Sequence, residues 1–318
     1  MKKRVIVYGL GEDYKKTKVI IEDKFEVIGR CDSMIMDGGV MRPEDIPSQK
    51  FDYICITSSK YFQEIKDRVI NLIGTENEYK ILSLYDVIGD FRNSEVRDQW
   101  VIDKLSEIQD GKILLDAGAG EQKYKPYCSH LKYIAQDFGK YIPNEVDTGF
   151  QTGAWDYTGL NLICDIVDMP LDDSSVDVIL CTEVFEHLKD PIAALREFYR
   201  VLKSGGILIL TAPFCCLTHM APYFYYNGFS EYWYKEHLGD NRFIIKEFTR
   251  SGNFFKYLCQ ELFRVEDVAK RYCESGLESH EINLLSQCID MLMRISERDN
   301  GSDELLCFGN MLVAEKTE

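Results

Sequence analysis

The stretch Lys112–Phe138, KILLDAGAGEQKYKPYCSHLKYIAQDF, decides the fold class of the larger part of this chain. An apolar run ends in Asp116 and turns through Gly118 and Gly120, and a second apolar run ends in Asp137. This alternation predicts a strand, a glycine turn, a short helix and a second strand, with a carboxylate at the tip of each strand. Because ligands of open α/β sheets bind beyond the carboxyl ends of parallel strands, we expect both acids to face one crevice.

The residues around this turn restrict the nucleotide that it can hold. An acid about 20 residues past the first glycine suits a ribose diol, and Asp137 has that position. A dinucleotide also needs a third glycine, so that a helix N-terminus closes on the pyrophosphate, but here that position is Gln122. Glu121 stands beside it, and Pro126 interrupts the helix that follows. An acid at the turn disfavours a pyrophosphate and tolerates a cation, so S-adenosylmethionine, with its ribose and its positively charged end, fits better.

The turn resembles the first motif of the class I S-adenosylmethionine-dependent methyltransferases, which reads like LDAGAG. The resemblance implies an α/β fold with a Rossmann-like, seven-stranded methyltransferase sheet. It further implies that Asp116, Gly118 and Gly120 line the methionine end of the cofactor, and that Asp137 holds its ribose.

Later motifs of the same family follow in order. The resemblance gives Asp165 the role of accepting a hydrogen bond from the adenine amino group, and gives the Ile166 amide the role of serving an adenine ring nitrogen. The apolar run Val176–Cys181 predicts a fourth strand. The next residues, Thr182–Leu188, read TEVFEHL and are similar to the EVLEH signature of the type-11 methyltransferases. Thr182, at the tip of that strand, is accordingly placed among the cofactor-binding residues.

The resemblance sets the bounds of the larger domain. It is close over residues 98–214 and looser from there to the end, so we predict a methyltransferase domain at 98–318. The apolar run Ile207–Leu210 predicts a fifth strand. The family implies that a terminal antiparallel strand, here Leu305–Ala314, lies beside it.

A second βαβ alternation occupies residues 1–92 and predicts a smaller α/β domain. It resembles the Rossmann-like, nucleotide-binding-like domains that are joined to bacterial enzymes of sugar modification and polysaccharide biosynthesis. The polar stretch 90–98, DFRNSEVRD, marks the boundary between the two domains.

The glycine turn of this first domain leaves its role open. Gly9 and Gly11 with Asp32 could bind a nucleotide or a sugar nucleotide. Glu12 and Asp13, however, occupy the turn where a phosphate would lie, and the third glycine is missing. The alternative is a structural or assembly role without a bound nucleotide.

Composition excludes several classes of partner. With 53 acidic against 37 basic residues, the net charge of −16 repels phosphate backbones, so we expect no nucleic-acid partner. No apolar segment approaches the ~20 residues that span a bilayer, so we expect no membrane insertion. The 11 cysteines lack paired CxxC spacing and the N-terminus shows no signal-peptide pattern, which predicts a cytoplasmic protein.

Two aromatic segments follow predicted strands and are candidates for the acceptor site. Gly139–Gly159 is long for a connection and holds four large aromatic residues: Tyr141, Phe150, Trp155 and Tyr157. Thr218–Tyr234 alternates aromatic and polar residues without a regular period. Such segments form a pocket wall suited to a sugar or another small hydroxylated acceptor, or else a cap whose aromatic rings only pack.

Two histidines near the crevice are candidates for a general base, because methylation of a hydroxyl requires removal of its proton. His219 follows the fifth strand and is our first choice. His187 belongs to the EVFEHL stretch and is either a base or a structural residue. Glu183 and Glu186 are near enough to orient a histidine or the acceptor. Alignment of donor and acceptor alone could also suffice. Beyond these histidines and glutamates, no cluster of acids and histidines has the ligand spacing of a metal site, so we expect no metal.

These observations predict an enzyme that transfers a methyl group from S-adenosylmethionine to a small or carbohydrate-like acceptor, with oxygen favoured, in sugar or polysaccharide biosynthesis. One alternative is a nucleotide-dependent oxidoreductase that uses the first domain. Another is a partner subunit that binds the cofactor without catalysis. The oligomeric state stays open.

Overall fold

The computed structural model describes residues 2–35, 38–143, 149–150 and 153–318. The strands are β1 (Lys3–Tyr8), β2 (Phe25–Cys31), β3 (Tyr53–Ile56), β4 (Ile81–Ser83), β5 (Ile113–Ala117), β6 (Lys132–Asp137), β7 (Leu162–Ile163), β8 (Val176–Thr182), β9 (Leu202–Pro213), β10 (Phe243–Ser251) and β11 (Gly309–Lys316). The helices are α1 (Glu12–Lys24), α2 (Phe62–Ile73), α3 (Leu84–Ile88), α4 (Asn93–Ser106), α5 (Pro191–Val201), α6 (Glu231–Asp240), α7 (Phe254–Tyr272) and α8 (Ser279–Ser296).

The chain forms two compact units. The first contains Met1–Phe91 and Phe254–Asn300, and the second contains Arg92–Asn253 and Gly301–Glu318. In the first unit a four-stranded parallel sheet has the order β2-β1-β3-β4. The small N-terminal α/β domain expected from the βαβ alternation is therefore present.

The structure divides the chain differently from the predicted domain bounds. The sequence places residues 254–300 in the larger domain at 98–318, whereas α7 and α8 belong to the first unit. The reason is packing against α1: the Ser286 hydroxyl donates to the Lys16 carbonyl, and Lys16 Nζ lies 2.9 Å from the Asp267 carboxylate. An amphipathic helix pattern shows that a face is buried, but not which sheet buries it.

The second unit contains a seven-stranded sheet with the order β10-β11-β9-β8-β5-β6-β7. β11 lies between β9 and β10 and is antiparallel to both, while the described pairs from β9 to β7 are parallel. The seven-stranded α/β sheet and the antiparallel terminal strand expected beside the fifth strand are thus confirmed. Strand order reverses at β5, whose neighbours are β6 and β8, and ligands of such sheets bind at this switch point.

Local sequence explains the elements around the switch point. Asp190 caps α5 by accepting from the Ala193 amide at 2.9 Å, and Leu195 and Phe198 on its inner face are fully buried. The short helix expected after the glycine turn is only a 3-10 turn, Lys125–Tyr127, because Pro126 prevents a longer run. Among the described residues, no helix has the length and apolarity needed to cross a bilayer.

Candidate functional site

Asp116 lies at the tip of β5 and is almost fully buried. Its Oδ2 accepts a hydrogen bond from the Tyr133 hydroxyl on the neighbouring strand β6. Burial raises the pKa of Asp116 to about 7 and the nearby Asp137 acts in the same direction, while the Tyr133 hydrogen bond opposes both. A cation placed beside Asp116 would relieve this cost.

Asp137, at the tip of β6, holds the glycine turn in place. Its Oδ2 accepts from the Gly120 amide at 3.0 Å, and its Oδ1 accepts from the Gly139 amide at 2.9 Å. Burial raises the pKa of Asp137, although these amide donors partly offset it. Two buried carboxylates therefore stand side by side at the tips of neighbouring strands, as the sequence predicts.

The glycines of the turn are required by close contacts. Gly118 has a φ of +82°, and a Cβ there would lie 2.3 Å from the Val184 side chain. Gly120 has a φ of +48°, and a Cβ there would lie 2.6 Å from the Trp155 ring. Any larger residue would be strained and would also collide with its neighbour. Trp155, from the long segment after β6, thus covers the turn.

The remaining predicted cofactor residues lie at the ends of β7 and β8. Asp165 is exposed just past β7, and its Oδ1 accepts from the Val167 amide at 3.2 Å. Ile166 beside it is buried. Thr182 is the last residue of β8 and pairs with Thr211 of β9. The structure therefore brings this set to the carboxyl ends of four neighbouring strands, which lie in the order β8-β5-β6-β7.

Glu183 differs from the sequence expectation. Its carboxylate contacts the Arg97 guanidinium at 2.9 Å and accepts from the Thr211 hydroxyl at 2.9 Å, so it is engaged away from the histidines. Its φ of +53° is unusual for a residue with a side chain. This conformation directs Glu183 toward α4, where Arg97 lies, and leaves the next acid, Glu186, to face the histidines.

Glu186, His187 and His219 meet at one point. The Glu186 Oε1 lies 3.7 Å from His187 Nε2 and 3.9 Å from His219 Nε2. The two imidazole rings pack edge to face with centroids 4.8 Å apart. Burial raises the pKa of Glu186 well above its usual value. Burial, aided by His219, lowers the pKa of His187 to about 4.

The aromatic segments meet beside these histidines. Phe150 forms a short parallel bridge with His219, in which the Met220 amide donates to the Phe150 carbonyl at 2.9 Å. The Phe224 ring lies 5.1 Å from the His219 ring, and Tyr223 packs edge to face on Phe138 at 4.9 Å. The described parts of both candidate acceptor segments therefore reach the same end of the sheet, while residues 144–148 and 151–152 of the first segment lie outside the described residues.

The glycine turn of the first unit is built differently. Asp32 accepts hydrogen bonds from the amides of Leu10, Met34 and Ile35, so its oxygens stabilise its own loop. Glu12 binds Lys15 and Lys270, and Asp13 accepts from the Ser59 hydroxyl at 3.0 Å. The acids of this turn are neutralised by the protein itself.

Three features of the site are not apparent from the sequence alone: the role of Arg97, the position of Trp155 and the burial of Glu186. Arg97 lies far from the motifs in sequence and reads as part of a polar boundary. Trp155 reads as a general pocket residue, not as the cover of Gly120. Glu186 is visible within the EVFEHL stretch, but its burial could not be read from a pattern of mixed polarity. A helical spacing that places Arg97 on the same face as buried Val101 and Leu105 is the one available signal for α4.

Comparison with protein families places this geometry in context. Residues 115–210 match the family described as a methyltransferase domain. Residues 1–110 match the family described as C2185-like, N-terminal. The first match begins in β5 and ends in β9, so it contains the glycine turn, Asp137, Asp165 and the EVFEHL stretch.

Curated relatives match over the same part of the chain. A probable S-adenosylmethionine-dependent methyltransferase of Mycolicibacterium smegmatis is 39% identical over 125 residues, covering 39% of this chain and 45% of that protein. One of Mycobacterium tuberculosis is 29% identical over 120 residues, covering 37% and 41%. The malonyl-[acyl-carrier protein] O-methyltransferase of Yersinia pestis is 33% identical over 110 residues, covering 34% and 39%. The chain spans about two fifths of the length of these relatives.

Proposed function

We propose, on the premise that residues 115–210 form a class I S-adenosylmethionine-dependent methyltransferase domain, that this protein methylates an oxygen atom of a small or carbohydrate-like acceptor. The family match and the relatives support a methyltransferase domain with S-adenosylmethionine as its cofactor. The acceptor, the atom that is methylated and the residue roles are the proposal.

One observation carries it: the cofactor acids and a cluster of two histidines with a glutamate lie at the same edge of one sheet. Asp116 and Asp137 end β5 and β6, while His187 and His219 follow β8 and β9. In this proposal Asp137 binds the ribose, Asp116 and the turn face the methionine end, and Asp165 with the Ile166 amide binds adenine.

The proposed reaction is a direct displacement at the methyl carbon. A lone pair of the acceptor hydroxyl forms the new oxygen–carbon bond, and the carbon–sulfur bond breaks with its electron pair going to sulfur. The products are the methyl ether and S-adenosylhomocysteine. The hydroxyl proton passes to His219 Nε2, the more exposed of the two histidines, with side-chain exposures of 26% and 13%.

The acceptor class follows from the wall beside His219. Phe224 and Tyr223 offer apolar ring faces together with a phenolic hydroxyl, a combination suited to the apolar faces and hydroxyls of a sugar ring. A role in sugar or polysaccharide modification is consistent with this wall. The relative from Yersinia pestis, named for O-methylation, supports oxygen as the acceptor atom.

Two measurements test the proposal. Calorimetry with S-adenosylhomocysteine and, separately, with NAD should show binding of the first and not of the second. A panel of nucleotide sugars and polysaccharide precursors, incubated with S-adenosylmethionine and analysed by mass spectrometry, should yield a product heavier by one methylene group. Binding of NAD in place of S-adenosylhomocysteine would instead favour the oxidoreductase alternative.

A further inference from the structure

The group formed by Glu186, His187 and His219 has the composition and spacing of a metal site. One ligand atom from each side chain lies within 4.8 Å of the other two. In a tetrahedral site with ligands at about 2.1 Å from the ion, the ligand atoms are roughly 3.4 Å apart. Side-chain movements of about 1 Å would therefore bring these three atoms onto one ion. This differs from the sequence analysis, which expects no metal.

Both histidines are held in the tautomer that a metal needs. His187 Nδ1 lies 2.5 Å from the Tyr223 carbonyl, and His219 Nδ1 lies 2.9 Å from the Leu217 carbonyl. A carbonyl oxygen only accepts, so each Nδ1 carries a proton, and in the neutral ring the lone pair lies on Nε2. It is Nε2 of each ring that lies near Glu186 Oε1. Backbone carbonyls on the far ring nitrogen are the usual outer support of metal-binding histidines.

The glutamate is short of partners. Glu186 has a side-chain exposure of 1%, and its Oε2 has no hydrogen-bond partner among the described residues. A buried carboxylate without hydrogen bonds or a counter-charge costs several kcal/mol. At 3.7 and 3.9 Å, neither histidine is within hydrogen-bond distance of Oε1. A cation between the three groups would satisfy the carboxylate and both lone pairs together.

The positive charge near Glu186, that of Arg97, is paired with another acid. Arg97 acts on Glu186 electrostatically, but its guanidinium contacts the Glu183 carboxylate at 2.9 Å. Arg97 is therefore paired with Glu183. The site presents one carboxyl group and two Nε2 atoms toward a common centre.

We propose that Glu186, His187 and His219 bind a divalent first-row transition-metal ion such as Mn²⁺, Fe²⁺, Co²⁺ or Zn²⁺. Two imidazole ligands select such ions over Mg²⁺ and Ca²⁺, which prefer an all-oxygen shell. Three protein ligands leave coordination positions open for another molecule.

The role of the ion rests on the proposed methyl transfer. An acceptor hydroxyl that takes an open position would lose its proton more easily, because the ion stabilises the alkoxide. His219 Nε2 would then be a ligand instead of the base, and the proton would pass to solvent. Oxygen acceptors with two neighbouring hydroxyls could chelate the ion, which narrows the class of substrate.

Metal binding can be tested on the full-length protein without any acceptor. Protein purified without a histidine tag is stripped with a chelator and titrated with Co²⁺, with visible absorption and calorimetry as readouts. The wild type should bind one Co²⁺ per chain. Glu186→Gln and His219→Ala should weaken binding by about 100-fold or more, since loss of an outer partner alone costs about 10–100-fold.

A matched control is available in the first unit. His280 lies 3.3 Å from Glu278 and both are largely exposed, so this pair has the residue types without the burial or a second histidine. His280→Ala should leave Co²⁺ binding unchanged. Equal binding by His219→Ala and the wild type, or no Co²⁺ uptake by the wild type, would overturn the proposal. Circular dichroism melts confirm that each variant is folded, and His219, on a partly exposed segment, is the safer of the two ligand substitutions.

S-adenosylhomocysteine calorimetry on the same samples separates this inference from the proposed function. If the wild type binds Co²⁺ but not S-adenosylhomocysteine, the metal site stands and the proposed methyl transfer fails. If it binds S-adenosylhomocysteine but not Co²⁺, the proposed function stands and the metal site fails.

Discussion

The chain contains two glycine turns that look alike in sequence and differ in what surrounds them. Gly9-Leu10-Gly11 follows β1, and Gly118-Ala119-Gly120 follows β5. Each is succeeded by a strand that ends near an aspartate, Asp32 in the first unit and Asp137 in the second. The first turn leads directly into the 13-residue helix α1, whereas the second leads only into a 3-10 turn.

Charge separates the two turns more sharply than shape does. Burial alone would raise the pKa of Asp32, but the amides of Met34, Leu10 and Ile35 outweigh it and the pKa is lowered. At the second turn, burial dominates and the pKa values of Asp116 and Asp137 are raised. The acids of the first turn are stabilised by partners within the protein. The acids of the second turn are buried at a cost that a cationic, ribose-bearing ligand would reduce. An incomplete glycine motif therefore indicates the fold. The charge balance of the acids around the turn indicates whether a ligand is needed to stabilise them.

Removal of Asp137, the aspartate beside the second glycine turn, should have the largest effect on ligand binding. We expect Asp137→Ala to weaken binding of S-adenosylhomocysteine about 1000-fold, because two charge-assisted hydrogen bonds to the ribose, each worth about 1.5–3 kcal/mol, are lost. Calorimetry measures this directly, and Asp137→Asn tests whether the charge or only the side chain matters. Asp32→Ala is the matched control and should leave the affinity unchanged. Unchanged affinity in Asp137→Ala would remove the ribose assignment.

The opposite pKa directions predict opposite effects of pH on stability. The pKa of Asp116 is about 7 in the folded protein against a usual 3.8, so the folded state binds this proton more tightly than the unfolded chain. Stability of the wild type should therefore fall as the pH rises from about 4 to about 7, by up to about 4 kcal/mol. Asp116→Asn should abolish this loss and be the more stable protein at about pH 8.

Denaturant titration can measure how Asp116 changes the stability of the second unit, to which it belongs. All 3 tryptophans, Trp100, Trp155 and Trp233, belong to the second unit, so their fluorescence reports its unfolding.

The contribution of Asp32 to stability should depend on pH in the opposite direction. Its lowered pKa contributes stability above the unfolded pKa, which is lost as the pH falls through the folded pKa, so Asp32→Asn should destabilise the protein at neutral pH. Effects of equal sign for the two substitutions would contradict the comparison.

Substitution of His219 should separate turnover from cofactor binding. We expect His219→Ala to lower kcat about 100-fold, because the acceptor hydroxyl loses either its proton acceptor or a ligand of the proposed ion, with less than about a threefold change in affinity for S-adenosylhomocysteine. A methyl-transfer assay and calorimetry on one preparation provide both values. His280→Ala, in the first unit, should change neither. An equal loss of turnover and cofactor affinity would make His219 a structural residue.

The two glycines that end the turns should differ in their tolerance of alanine. A Cβ on Gly120 would meet Trp155 at 2.6 Å in a left-handed conformation, so Gly120→Ala should cost about 1–3 kcal/mol of unfolding free energy. Gly11 has a φ of −73° and no atom within 4 Å of an added Cβ, so Gly11→Ala should cost less than about 1 kcal/mol. Trp155→Ala should relieve part of the Gly120→Ala cost, and no such relief would show that the backbone strain dominates.

Much of the architecture could be predicted from short stretches of sequence. The strands from β5 to β9, the antiparallel β11 and the small parallel sheet of the first unit all follow from apolar runs, glycine turns and family motifs. Asp116 and Asp137 could be placed at one edge because strand tips of a parallel sheet share that edge. Periodicity and turn chemistry act over a few residues, so they can be read directly from the chain.

Other features depend on contacts between residues that are distant in sequence. The sequence places residues 254–300 in the larger domain, and only the packed structure assigns their helices to the first unit. The meeting of His219 with Glu186 and His187 depends on where the chain returns after β9, and the pairing of Glu183 with Arg97 depends on how α4 lies on the sheet. Local pattern sets which residues are strand, turn or helix. Burial and charge balance arise only when separate segments pack together, and they decide which of two similar turns can accept a ligand.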